Sequence, residues 1–155
     1  MPNYKGHMLG GFLTFAITTF LFVTIGLMTP KFTEIIQYLL SALIGSLFPD
    51  IDTKSKIQKV FYVILLIILI LLLSQANFLF FAILSFLGLL PLLVHHRGLF
   101  HKPSFIIFIA ASLIIICRVY KPELVALIST NLLFFVFGAF SHIILDVGIR
   151  RFFRI

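Results

Sequence analysis

The chain has 155 residues, of which 61% are hydrophobic and only 11% charged, with a formal net charge of +7. A soluble domain is about a quarter charged, so this composition, with a mean hydropathy of +1.20, excludes a soluble enzyme or a nucleic-acid-binding module and indicates an integral membrane protein. The length suits one domain over residues 1–155, and the single cysteine, Cys117, excludes an intrachain disulfide.

Six apolar stretches follow one another along the chain. The first, Met8–Met28, is longer than a signal h-region of roughly 7–15 residues, and no small-x-small cleavage site closes it, so it is expected to stay as a helix. It ends at Thr29-Pro30-Lys31. The second, Phe32–Phe48, stops at Pro49-Asp50-Ile51-Asp52, a non-helical segment that leads into the basic loop Thr53-Lys54-Ser55-Lys56. The third, Ile57–Leu73, breaks at Ser74-Gln75-Ala76-Asn77, and the fourth, Phe78–Val94, runs into the cluster His95-His96-Arg97-Gly98-Leu99-Phe100-His101. Pro103 opens the fifth, a position where its missing N–H costs nothing, and this stretch reaches Val119. The sixth, Leu124–Leu145, precedes the basic tail Arg150, Arg151 and Arg154. A membrane helix needs about 20 residues, within roughly 17–25, so the third and fifth stretches are the marginal ones. Gly10, Gly11 and Gly45 suit close helix contacts. The expected fold is an all-α polytopic bundle of about six spans.

Six spans place the N-terminus, the loops at 49–56 and 95–102, and the C-terminal tail on one side of the membrane. That side carries nine of the twelve positive residues: Lys5, Lys54, Lys56, Lys59, Arg97, Lys102, Arg150, Arg151 and Arg154. Only Lys31, Arg118 and Lys121 fall on the other. Short cytoplasmic loops are enriched in Lys and Arg, so both termini are expected in the cytoplasm. The same side collects all five histidines, His7, His95, His96, His101 and His142, and all three aspartates, Asp50, Asp52 and Asp146. The two glutamates, Glu34 and Glu123, lie opposite.

Imidazole and carboxylate together ligate transition metals, and a carboxylate also bridges two metals or activates water. His142 and Asp146 are i and i+4 and share one helix face. Asp50 and Asp52 flank Ile51, and His96 and His101 lie five apart across Gly98. Each element also has a plain structural account. Asp50 or Asp52 suits an N-cap of the third helix, His142 offsets a helix dipole, Asp146 pairs with Arg150 at i+4, and Arg97 and Lys102 are positive-inside residues. None of these accounts explains why every His and Asp falls on one face. The pattern points to a polar metal site at the cytoplasmic membrane interface.

Four motifs in order resemble the YdjM-type family of membrane-bound, metal-dependent hydrolases. They are Gly6-His7, Leu47-Phe48-Pro49-Asp50-Ile51-Asp52, His96-Arg97-Gly98-Leu99-Phe100-His101 and Ser141-His142-Ile143-Ile144-Leu145-Asp146. The resemblance covers essentially the whole chain. It implies a bacterial inner-membrane hydrolase distantly akin to zinc-dependent phospholipase C-like enzymes. His7, Asp50, Asp52, His96, His101, His142 and Asp146 would then be the metal-site residues, with His95 a bystander. Seven side chains exceed the needs of one tetrahedral zinc, so two or more ions are implied, Zn2+ first and Mn2+ or Fe2+ as alternatives. The implied reaction is phosphoester hydrolysis of a lipid phosphate or lipid-linked substrate at the bilayer surface. Asp50 or Asp52 would orient or deprotonate water, and Arg97 would neutralise phosphate through its planar fork. The family pattern has a small hydroxyl residue before the second His of the third motif and Ser after it. Phe100 and Lys102 stand there in this chain, a departure that touches a supporting hydrogen bond and substrate preference but no ligand.

Two other classes compete. A non-catalytic metal transporter or sensor would want polar groups at mid-membrane, where the chain offers only Thr14, Thr18, Thr19, Ser85 and Ser112. A membrane adaptor using the basic tail on anionic lipid leaves the histidines unexplained.

Overall fold

A computed structural model describes residues 3–53, 55–93 and 98–152, leaving aside the side chains of 150 and 151. The regular structure of the described residues is all helix, with α1 Tyr4–Thr24, α2 Phe32–Leu47, α3 Lys56–Ser74, α4 Phe78–Leu93, α5 Pro103–Tyr120, α6 Val125–Val147 and the short α7 Ile149–Phe152. Three 3-10 turns punctuate them, at Phe48–Asp52, Leu99–His101 and Pro122–Leu124. Among the described residues five segments are long and apolar enough to cross a membrane, and Phe78–Leu93 covers the described part of the fourth stretch. The third and fifth reach 19 and 18 residues because Lys56, Ser74 and Tyr120, polar or amphipathic ends beyond the apolar runs, join their helices.

Helix ends depart from the apolar runs for local reasons. Asn3 caps α1 by accepting from the Gly6 N–H at 3.2 Å, so the helix starts four residues before the first apolar run and includes His7. It stops at Thr24 although hydrophobic residues continue to Met28, because Gly26 adopts φ 73°. Ser55 caps α3, its side chain accepting from the Gln58 N–H at 3.2 Å, so neither Asp50 nor Asp52 is that cap. Gly148, at φ 79°, ends α6 and breaks the helical register between Asp146 and Arg150.

The contacts divide the chain into two compact units. The first comprises Met1–Pro49 and His101–Ile155, and α6 is its centre, packed against α1, α2 and α5. The axes of α2 and α6 approach until backbone touches backbone. A Cβ on Gly45 would collide with the Phe135 carbonyl, and one on Gly138 with the Ala42 carbonyl. Small residues at such crossings replace the hydrophobic drive that lipid cannot supply. Below this crossing Phe134 is fully buried, stacked 4.7 Å from Tyr38 and tilted 6.0 Å from Phe15. A second cluster, Ile106, Ala139 and Ile143, joins α5 to α6, with Phe152 of α7 folded back against it. Between α2 and α6 the Ser41 hydroxyl donates to the Asn131 side-chain oxygen at 2.9 Å, and the Asn131 amide donates to the Leu127 carbonyl at 2.9 Å.

The second unit, Asp50–Phe100, is the α3–α4 hairpin. Its tight connection turns through Ala76 at φ 53°. The Tyr62 hydroxyl donates to the Gly88 carbonyl at 2.9 Å and so ties α3 to α4, three residues before Pro91. Outward faces of both units carry large apolar side chains: Phe20, Leu27, Leu40, Phe86 and Phe108 are all more than half exposed. A soluble monomer does not tolerate so much exposed hydrocarbon; a bilayer covers it.

Candidate metal centre

Four of the residues singled out in the sequence meet in the first unit. His7 comes from the first turns of α1, His101 from the 3-10 turn that precedes α5, and His142 and Asp146 from successive turns of α6. Three Nε2 atoms face one carboxylate. His7 lies 3.4 Å from Asp146 Oδ1, while His142 and His101 lie 3.8 and 3.9 Å from Oδ2. The four side chains are 0–6% exposed. The His7 and His142 rings stack at 3.7 Å, and the His101 ring meets His142 edge-on at 5.5 Å.

These separations fit a shared cation better than a set of direct bonds. A charge-assisted N–H···O bond closes to about 2.7–2.9 Å, whereas ligand atoms about 2.0–2.1 Å from one zinc stand roughly 3.3 Å apart at a tetrahedral angle. One ligand atom from each of His101, His142 and Asp146 lies within 4.8 Å of the others. The His7 Nδ1 and Asp146 Oδ1 atoms are buried without a hydrogen-bond partner among the described residues. In hydrocarbon such groups cost several kcal/mol unless something compensates them. The donor set, three imidazoles and a carboxylate, is one that zinc takes.

His142 carries a further constraint. Its Nδ1 lies 2.7 Å from the Ser46 carbonyl oxygen. A carbonyl only accepts, so Nδ1 holds a proton, and Nε2 is the ring nitrogen left to face Asp146.

Asp50 and Asp52 belong to the second unit and lie at its start, on the 3-10 turn rather than on irregular backbone. At about 120° per residue this turn points side chains two apart in different directions. Asp52 is 9% exposed. The Asp50 carbonyl organises the following loop, accepting from the Thr53 hydroxyl at 2.8 Å and N–H at 3.2 Å. His95, His96 and Arg97, the core of the histidine cluster, lie outside the described residues. Phe100 is buried, and Lys102 takes the N-cap position of α5 without a side-chain capping bond.

Sequence reasoning found Gly11 and Gly45 as contact glycines but missed Ser46 and Gly138. Their signal is a spacing. Ser41 with Gly45, and Ala42 with Ser46, form overlapping small-x-x-x-small pairs at the end of α2, which marks the helix face that meets another backbone.

A family model described as YdjM inner membrane protein matches residues 1–151. The chain belongs to this family. No curated protein and no solved structure matches it. Membership agrees with the four ordered motifs and places the chain among inner-membrane proteins.

Proposed function

We propose that this protein is a membrane-embedded, metal-dependent hydrolase that cleaves a phosphoester of a lipid or lipid-linked substrate at the cytoplasmic face. The observation that carries the reading is the convergence of His7, His101 and His142 on the buried Asp146 carboxylate. These four side chains would hold a divalent cation, zinc first. When bound, the cation supplies Lewis acidity toward water and a phosphoryl oxygen. Asp146 supplies the negative charge that makes a cation welcome among three imidazoles, and the Ser46 carbonyl keeps the His142 ring in orientation. Family resemblance gives water orientation or deprotonation to Asp50 or Asp52, and phosphate neutralisation to Arg97. The excess of positive residues on the side shared by the termini supports the cytoplasmic placement.

Purified protein in nanodiscs should contain at least one zinc, manganese or iron per chain. It should turn over at least one member of a panel of lipid phosphates and phosphodiesters, with the activity removed by a chelator and by Asp52→Ala. Bound metal without turnover on any member would make the protein a non-catalytic metal binder, and folded protein indifferent to metal would remove the centre altogether. In a Cys117→Ser background, single cysteines at positions 5 and 99 should both label from the cytoplasm; labelling from opposite sides breaks the topology.

A further inference from the structure

The Ser46 carbonyl reaches His142 because of two other residues. Ser46 is the penultimate residue of α2, and the last carbonyls of a helix lack the N–H groups of a following turn. Here the chain tightens into the 3-10 turn Phe48–Asp52, where carbonyl i is served by the N–H of i+3. For Ser46 that residue is Pro49, which has no N–H. Pro49 and Ser46 are both fully buried, so water does not replace the missing donor. The Nδ1–H of His142 does, at 2.7 Å. Distance is the second condition. Gly138 stands one turn before His142 on the same face of α6, and a Cβ there would collide with the Ala42 carbonyl and come within 3.0 Å of the Ser46 nitrogen.

We propose that Pro49 and Gly138 are positioning residues for His142. Pro49 withholds the local donor from the Ser46 carbonyl, and Gly138 lets that carbonyl come within reach. Together they fix the proton on Nδ1 and commit Nε2 to the Asp146 cluster. Pro49 thereby has a task separate from that of the aspartates that follow it. The tautomer stands on the metal-free chain; only its effect on metal affinity rests on the function proposed above.

The test uses the full chain in nanodiscs, stripped of metal and labelled with 15N-histidine, with His142 assigned by its loss in His142→Gln. Wild type should show a protonated Nδ1 at His142. Pro49→Ala, which restores the local N–H, and Gly138→Ala, which pushes the helices apart, should each give mixed tautomers. In both, zinc affinity measured by competition with a chelating dye should fall roughly 10- to 100-fold, the usual effect of losing a group that orients a ligand. Helix content by circular dichroism should be retained in Pro49→Ala, so the claim survives if Gly138→Ala does not fold. A wild-type His142 unprotonated on Nδ1, or variants with the wild-type nitrogen pattern, would overturn the positioning role. Protonated Nδ1 in a wild type that binds no zinc would uphold it and overturn the proposed function instead.

Discussion

The two units treat the membrane in opposite ways. In the first, α6 is enclosed by three neighbours and glycines bring backbones into contact, and here the imidazoles and the Asp146 carboxylate are buried. The α3–α4 hairpin buries little: Leu65, Gly88 and Pro91 are its only buried positions among the described residues of its two helices, and their tightest glycine contact is Gly88 against the end of the Leu65 side chain. Ionisable groups at membrane depth are expensive, so they gather where tight packing and mutual contact compensate them. A loosely packed hairpin serves as a lipid-facing body.

This contrast can be broken by experiment. The largest effect should come from Gly45→Val, which drives a side chain into the Phe135 backbone. Its cost should approach about 3 kcal/mol in a denaturant titration followed by circular dichroism, the upper end for overpacking. Gly88→Ala should cost less than about 1 kcal/mol, because the Leu65 side chain can turn aside. Equal losses would abolish the distinction between a rigid and a compliant unit. Next, Asp146→Ala should weaken zinc binding at least about 100-fold, or ~2.7 kcal/mol, while Glu34→Ala, whose carboxylate accepts from the Lys31 N–H at 2.9 Å, should leave it unchanged. Ser41→Ala removes the α2–α6 bond to Asn131 and should destabilise the protein by about 1 kcal/mol. Tyr62→Phe, which deletes the hairpin's hydrogen bond to Gly88, should cost about 0.6 kcal/mol in the same titration.

Much of this was legible in the residues, for physical reasons that also mark where legibility ended. Hydropathy located the six long helices because each apolar run must satisfy its own backbone in lipid, but not the short α7 within the basic tail. It misplaced the ends of α1, where Asn3 and Gly26 decide and hydropathy is silent. The i, i+4 spacing of His142 and Asp146 was enough to place both on one face, and the structure adds His7 and His101 to them. The cap of α3 could have been read from Ser55-x-x-Gln58, yet Asp50 and Asp52 drew attention because they carry charge. Ser46 escaped notice because its carbonyl, rather than its side chain, meets His142. A main-chain contact of this kind leaves no residue type to recognise.

The cluster joins residues remote in sequence: His7 and His142 are 135 positions apart. At roughly 5–20 residues synthesised per second, His7 is made roughly 7–27 s before its partner. Throughout that interval the His7 imidazole lacks its partner on α6. Assembly of the cluster is therefore a late event in biogenesis, and a nascent chain arrested before α6 has inserted cannot form it.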